Sequence, residues 1–183
     1  MTRRKIIIGA AIGSAVLGLA ALIGVAGHYA ILDDHDDDDD ADRAALVRAI
    51  RFAKVNLQQG LAVSEQEGQP ISGKFEIDHG NFQLSVYTSK DGKFSEVLVD
   101  YSTGNVAKVE PITKHEDLAA AQSQNAAMIK AKTSLKEAVE KAVGEAAGFR
   151  AVGVVPNLKD DRAVASVLLL KGEEFKIVNQ ALE

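Results

Sequence analysis

The most concentrated set of chemically capable side chains lies in a short acidic segment near the N-terminus. Its members are Asp33, Asp34, His35, Asp36, Asp37, Asp38, Asp39 and Asp40. Clustered carboxylates suit hard cations such as calcium or a lanthanide, and the histidine offers a nitrogen ligand. The segment lacks the glycine and the spaced glutamate of an EF-hand loop, so no turn residue fixes a coordination geometry. We therefore expect an extended, solvated linker first and a low-specificity cation site second.

Other polar side chains offer little catalytic chemistry. His79 falls in a predicted turn. Asn157, Asp160 and Asp161 form an oxygen-rich stretch that suits a hard cation or a connecting turn, and we favour the turn. No H-E-x-x-H, G-x-S-x-G or phosphate-binding glycine loop occurs, and the absence of cysteine excludes disulfides and thiolate nucleophiles. We therefore expect no catalytic residues and no enzyme activity.

The net charge of −5 comes from one part of the chain. Without the eight aspartates between Asp33 and Asp42, 18 acids remain against 21 bases, and the head Arg3–Lys5 supplies the three extra bases. The rest of the chain is thus neutral. A neutral body behind an acidic segment gives no electrostatic reason to expect a nucleic-acid partner.

A long apolar run follows the basic head. From Ile6 to Leu32 no acid or base occurs apart from His28. As a signal peptide, the run offers small residues for cleavage at Val25–Gly27. As an anchor, its roughly 27 residues at 1.5 Å each are long enough for a hydrocarbon core of about 30 Å. We favour the retained anchor on length, and either interpretation places the body across the membrane from the basic head.

The body begins with a predicted helix and continues as a sheet. Apolar residues at helical spacing predict one helix from Asp42 to Leu61, which Gly68 and Pro70 terminate. Alternating polarity and turn residues predict strands at Phe75–Ile77, Phe82–Tyr87, Phe94–Val99 and Val106–Val109. Asp91–Gly92 is a strong hairpin signal between two of these strands, since glycine tolerates positive φ.

The pattern then recurs. An Ala-rich helix is predicted at His115–Lys132, and Ser134–Glu137 reads as a capping box that starts another helix. Strands follow at Phe149–Val155, which Pro156 ends, at Ala163–Leu170 and at Phe175–Val178. We therefore expect an α+β fold of two helix-plus-three-stranded antiparallel repeats behind an N-terminal hydrophobic helix. The expected divisions are residues 1–32 as signal peptide or anchor, 33–41 as acidic linker, 42–112 as the first repeat, 113–133 as a helical connector and 134–183 as the second repeat.

Three short motifs resemble the PepSY domain family. They are Ser134–Ala138 (SLKEA), Lys90–Lys93 (KDGK) and Val99–Val106 (VDYSTGNV). Each repeat shows only part of the family pattern, and the second stops before the Thr-Gly turn. The resemblance implies small helix-plus-sheet modules that are secreted or membrane-tethered in bacteria. It also implies propeptide-like restraint of peptidases, or a stand-alone envelope role that includes metal binding in some members.

These observations lead to one main expectation and one alternative. The first is a non-catalytic periplasmic or extracytoplasmic module that binds or restrains an envelope protein, of which a peptidase is one candidate, through a strand edge or sheet face. The alternative is a metal-ion protein that uses the acidic segment or the loop carboxylates. A membrane partner follows through Ile6–Leu32 if that run is retained.

Overall fold

The structure is a computed structural model that describes residues 36–183, with side chains described from residue 41 onward. The helices are α1 (Asp36–Ala49), α2 (Leu57–Ser64), α3 (His115–Lys130) and α4 (Leu135–Gly144), with a 3₁₀ turn at Ile50–Phe52. The strands are β1 (Gln69–Asp78), β2 (Asn81–Lys90), β3 (Lys93–Val99), β4 (Val106–Pro111), β5 (Arg150–Lys159), β6 (Arg162–Lys171) and β7 (Glu174–Ala181). The expected α+β class is confirmed. The hydrophobic helix expected in residues 1–32 lies outside the described residues.

All seven strands belong to one antiparallel sheet, in the order β4-β3-β2-β1-β5-β6-β7. The two halves of the chain therefore share a sheet, where we expected two separate ones, and the first half contributes four strands. The halves meet where β1 pairs with β5 over only two residue pairs, Gly73 with Val154 and Lys74 with Gly153. This short seam brings the two halves together without a long shared ladder.

The helices lie on both faces of the sheet. A Cβ atom added to Gly73 would lie 3.1 Å from Leu61 Cδ2, so this position of β1 faces α2. Lys74 points to the other face, because successive side chains alternate along a strand, and its charge acts on Asp117 of α3. It follows that α2 and α4 lie side by side on one face, and α3 crosses β1, β2, β5 and β6 on the other.

The single helix expected from Asp42 to Leu61 is wrong. The chain leaves helical geometry at Ala53 (φ −71°, ψ 116°), and a new helix begins after Asn56. The Asn56 side chain accepts a bond from Gln59 N at 2.8 Å, and the Gln59 side chain accepts one from Asn56 N at 2.8 Å. This capping box satisfies two of the free N–H groups of a helix start, which is why α2 begins there.

The acidic segment differs from the expectation as well. We expected it to be extended, but the backbone from Asp36 to Asp40 forms the start of α1. The macrodipole favours negative side chains in the first turn of a helix, and this offsets part of their mutual repulsion.

Two strand boundaries set by proline are also wrong. Pro70 lies inside β1, which we expected to begin after it, and Pro156 lies inside β5, which we expected to end before it. Both prolines lie outside the two pairs that join β1 to β5. The missing N–H of each proline can therefore lie on the side of its strand where no neighbouring strand is hydrogen-bonded.

Two units of the chain have the same sequence of local features. We call α2-β1-β2-β3 the first unit and α4-β5-β6-β7 the second unit. In each, a capping box starts the helix, the first strand has a register irregularity near its start, and two residues with positive φ close the first hairpin. The first hairpins of the two units close at Asp78 and Lys159, and the second hairpins close at Lys90 and Lys171. Both pairs of matching residues are the same number of residues apart.

Candidate functional site: a buried charged face and two sheet edges

A group of charged and polar side chains is buried between the first unit and α3. Strand alternation brings Lys74 and Glu76 of β1, Ser85 of β2 and Glu96 of β3 to the face that α3 covers with Asp117. We call these five residues the charged face. Four of them are at most 8 % exposed, the exception being Glu76, whose side chain is 12 % exposed. Such burial is rare for ionisable groups, so the charged face is the first place to look for chemistry.

Hydrogen bonds and ion pairs connect the charged face internally. Lys74 Nζ pairs with Glu76, and Gln83 Nε2 donates to Glu76 Oε1 at 3.1 Å. Ser85 Oγ donates to Glu96 Oε1 at 2.5 Å. The group holds three carboxylates against one ammonium, so its formal charge is negative when all are ionised. Removal of Lys74 would leave Glu76 without its ion-pair partner, whereas Lys114, outside the group, would still oppose the charge of Asp117.

Burial raises the pKa of two carboxyl groups in the charged face. For Glu76, desolvation outweighs the opposing effects of Lys74 and Gln83 and raises its pKa above 4.5. Desolvation likewise raises the pKa of Asp117, against the opposing charges of Lys114 and Lys74. These groups can bind protons more readily than exposed carboxyls. Ser85 is only 1 % exposed, so its hydroxyl is not open to an external substrate. The arrangement therefore suits proton binding and structural pairing.

In the described part of the chain no strand pairs with the outer edge of β7, and near its start Arg43 of α1 lies 4.8 Å from the centre of the Phe175 ring. Within the sheet β7 pairs with β6 alone. Leu182 N donates to Ala163 O at 3.0 Å, and antiparallel pairs alternate between bonded and non-bonded positions. Counting back from this bond along the register, the backbone N–H and C=O groups of every second residue of β7 point toward β6. Those of the residues in between point outward. The outward residues are Phe175, Ile177, Asn179 and Ala181.

The opposite edge, β4, is less open. Ile112 N donates to Phe94 O at 3.0 Å, and the same alternation makes Pro111 an outward residue of β4. Proline has no N–H, so one outward donor is missing. The register with β3 also shifts between Leu98 and Val99. Proline and irregular register are both features that discourage strand addition. Of the two edges, β7 presents the more complete set of backbone donors and acceptors.

A cleft of about 300 Å³ lies where the end of α3 meets the start of α4. Buried Leu61 and Met128 line it together with the exposed side chains of Glu65 and Lys132. Its ionisable lining residues are Glu65, Lys132 and Lys136.

The structure does not test the predicted cation site. Asp33, Asp34 and His35 lie outside the described residues, and for Asp36–Asp40 only the helical backbone is described. In the part of the chain whose side chains are described, no three His, Asp or Glu residues are grouped so that they could hold a metal ion. Metal binding stays a prediction.

The loop carboxylates adopt the turn roles that we favoured. Asp160 and Asp161 are the two positive-φ residues of the β5–β6 turn, with φ of 50° and 64°. Asp161 pairs with Lys130, and Asn157 lies within β5, where it donates to Ser166 Oγ at 3.2 Å. Asn157 and Asp161 therefore have separate partners and do not converge on one point.

Two further turn residues have backbone roles. His79 is exposed, with φ of 47°, in the β1–β2 turn. Asp100 accepts bonds from Ser102 N at 2.8 Å and Thr103 N at 2.7 Å, which lower its pKa. The predicted turn position of His79 is confirmed, and the bonds that Asp100 accepts stabilise the turn that follows β3.

The sequence analysis missed the charged face. Lys74, Glu76, Ser85 and Glu96 alternate with apolar residues, which is typical of a strand face exposed to water. The covering helix α3 was predicted, but its position over this face was not. The available signal was in α3 itself, where Asp117 and Gln124 interrupt the Ala-rich face that is now buried.

The described helices and the comparisons with known proteins do not identify a family or a function for this chain. No helix in residues 36–183 is long and apolar enough to cross a membrane. No protein-family model matches the chain, and no curated protein matches it. Among solved structures, a "putative lipoprotein" from Clostridium difficile 630 is 16 % identical over 66 % of this chain and 79 % of that one, with a TM-score of 0.39. A similarity this low transfers neither a family nor a function to this chain.

Proposed function

We propose that this protein is a non-catalytic extracytoplasmic module that binds a partner polypeptide by strand addition at β7. The observation that carries the proposal is the open edge of β7, with four residues whose backbone groups face away from the sheet. A strand added there gains main-chain hydrogen bonds, and side-chain pockets then select its sequence. The exposed side chain of Ile177, 39 % accessible, lies in the middle of this edge and offers an apolar contact.

The length and regularity of β7 support this choice of edge. It spans eight residues and pairs with β6 without a register shift. Natural proteins commonly shorten, kink or charge an exposed edge to prevent association. β7 is long and regular, and no proline interrupts it. β7 does carry two exposed charges, Glu174 and Lys176. It lacks the other two protections, and a long, regular edge is suited to a partner strand.

The PepSY resemblance and the location belong to the same proposal. Capping boxes, matched turns and matched register shifts in the two units support a duplicated module of the PepSY kind. The apolar run Ile6–Leu32 after a basic head supports a body on the outer side of the membrane. In that setting the partner is an envelope protein, and a peptidase is the class that the resemblance favours.

The test combines crosslinking with a change to one backbone donor. A photoreactive residue replaces Lys176 on β7 or Lys108 on β4 in the full chain, which is irradiated with an envelope fraction of its source bacterium. Ile177→Pro removes an outward N–H without removing a bond to β6. We expect a discrete adduct from position 176 that Ile177→Pro abolishes.

Ile177→Thr is the matched control, because it removes the same apolar side chain but keeps the N–H. It should retain most of the adduct if main-chain bonds dominate. Equal adducts from positions 176 and 108, or an adduct that persists in Ile177→Pro, would contradict strand addition at β7. Thermal melts of all variants establish that the fold is unchanged.

A further inference from the structure

An exposed basic surface follows the acidic start of α1. Residues 43–54 contain four bases and no acid. Of these, Arg48, Arg51 and Lys54 are exposed. None of the three forms an ion pair with another side chain in the described part of the chain. Their charges are therefore available to an external anion.

An aromatic residue lies among these bases. Phe52 is 59 % exposed, and Arg51 Cζ lies 4.9 Å from the centre of its ring. Arg48, Arg51 and Phe52 line a shallow depression together with one acid, Asp42, and the half-buried side chains of Ile77 and Phe82. We call Arg48, Arg51 and Phe52 the arginine patch. It combines two guanidinium groups, an exposed ring and an apolar base on one surface.

We propose that the arginine patch rests on the headgroup layer of an anionic lipid membrane. Guanidinium groups bind phosphates through paired N–H donors, which matches the phosphodiesters of lipid headgroups. Aromatic rings are favoured at the boundary between headgroups and acyl chains. Basic residues beside a membrane anchor are attracted to anionic lipids. The patch offers all three features.

The position of the patch along the chain favours a membrane over a soluble acidic partner. Only residues 33–35 separate the apolar run ending at Leu32 from α1. The 14 residues of α1 extend about 20 Å, and a stretch of three residues in any conformation adds at most about 10 Å. If the apolar run is in a bilayer, the patch is tethered within about 30 Å of its surface. That tether makes lipid headgroups the anions most often encountered.

The aspartates at the start of α1 do not cancel this attraction. Asp36–Asp40 occupy the opposite end of the helix from the arginine patch, so most of the length of α1 separates them. Asp42 does line the depression, but it is one carboxylate against the two guanidinium groups of Arg48 and Arg51. At physiological ionic strength charges are screened over about 8 Å. The two ends of α1 therefore act as separate surfaces. The inference does not depend on strand addition at β7.

The chain has no tryptophan, so a single substitution gives a local reporter. Full-length protein with Phe52→Trp is reconstituted into vesicles of phosphatidylcholine alone or mixed with phosphatidylglycerol, each carrying brominated acyl chains as quenchers. The matched reporter is Ile129→Trp on α3, which replaces another exposed apolar residue, 73 % accessible. We expect quenching at position 52 in anionic vesicles only, with none at position 129.

Charge variants define the cause of the docking. In the Phe52→Trp protein, Arg48→Gln with Arg51→Gln should lower the ratio of docked to free patch roughly 25-fold, since each base near an anionic surface contributes about fivefold. Lys90→Gln with Lys93→Gln, at the β2–β3 turn, should leave it unchanged. Salt near 1 M, which shortens screening to about 3 Å, should abolish the quenching.

Three results would overturn the proposal. The first is equal quenching at position 52 in neutral and anionic vesicles, which would make the lipid charge irrelevant. The second is equal quenching at positions 52 and 129, which would mean that the body lies on the bilayer without a preferred surface. The third is a spectral shift at position 52 on adding polyglutamate, with no quenching by vesicles, which would assign the patch to acidic polypeptides.

Discussion

The first and second units share their turns, caps and register but differ on the face that α3 covers. In the first unit this face carries Lys74, Glu76 and Glu96, whereas the corresponding surface of β5–β7 includes Val155, Asn157 and Ile177. The positions correspond by counting from the matched hairpins. The serines are alike, since Ser85 donates to Glu96 and Ser166 donates to Asn179 at 2.8 Å, and so are Phe94 and Phe175. The same backbone therefore tolerates a charged and a neutral version of one face.

This difference shows which parts of the sequence determine the fold. The path of the backbone is determined by the helix caps and the turns, which are present in both units. The chemistry under α3 can change if each polar group has a partner, because a buried charge is costly only when it is left unpaired. Pairing in the first unit depends on one cation among three carboxylates.

Replacing that cation should have the largest effect. Lys74→Val introduces the residue found at the matching position of the second unit, Val155. It leaves Glu76 buried without its ion-pair partner, and it leaves Lys114 to oppose the charge of Asp117. We expect a loss of about 3–5 kcal/mol at neutral pH, measured by urea unfolding. Because protonation removes the carboxylate charges, the loss should shrink as the pH falls below the carboxyl pKa values.

Two further variants sharpen this result. Adding Glu76→Gln to Lys74→Val should recover part of the stability, since one unpaired charge is then removed. Lys108→Val breaks an exposed ion pair with Glu110 and should cost at most about 1 kcal/mol. A Lys74→Val loss as small as that of Lys108→Val would mean that the charged face is well solvated.

The first leucine of each capped helix should show the next largest effect. Leu57 and Leu135 occupy the same position after their caps and are 0 % and 2 % exposed. Either Leu→Ala change should cost about 2–5 kcal/mol through lost burial and a residual cavity. Similar losses for both, measured by thermal and urea unfolding, would support equivalent units. A loss for one alone would show that the other helix repacks.

The capping boxes should give the smallest effect and a difference in pH dependence. Asn56→Ala and Ser134→Ala should each cost about 1 kcal/mol at neutral pH. The box of α4 uses Glu137, whose pKa is lowered below 4.5 by bonds from Ser134, whereas the box of α2 uses the neutral Gln59. A carboxylate whose pKa is lower in the folded state stabilises the fold above pH 4.5, and this contribution is lost as the pH falls through its folded-state pKa.

The Ser134→Ala cost should therefore decrease in acid, while the Asn56→Ala cost should not. Urea unfolding at neutral pH and near pH 3 would measure both. Parallel losses at the two pH values would exclude a charge-dependent cap at α4.

The elements that short patterns specify could be predicted from the sequence. Asp91–Gly92 predicted its hairpin, and Ser134–Glu137 predicted the start of α4, because each pattern carries its own backbone reason. The break before Asn56 was missed, although its capping pattern is of the same kind, because the apolar spacing continued across it.

Long-range features could not be predicted in the same way. The pairing of β1 with β5 and the position of α3 over the charged face depend on residues far apart in the chain, and no local pattern specifies them. The alternation of polar and apolar residues predicted which side chains share a face of the sheet. Tertiary packing determines whether that face is exposed to water or covered by a helix.

The short seam between β1 and β5 has a consequence for synthesis. The chain is made from its N-terminus, so β1 has no neighbour on the seam side until β5 is complete. During that interval β1 is an edge strand, and it carries the protections of one: a proline at Pro70, a register irregularity beside it, and an inward charge at Lys74. β5 carries Pro156 and its own irregularity. The two innermost strands of the finished sheet are thus guarded against pairing with another nascent chain.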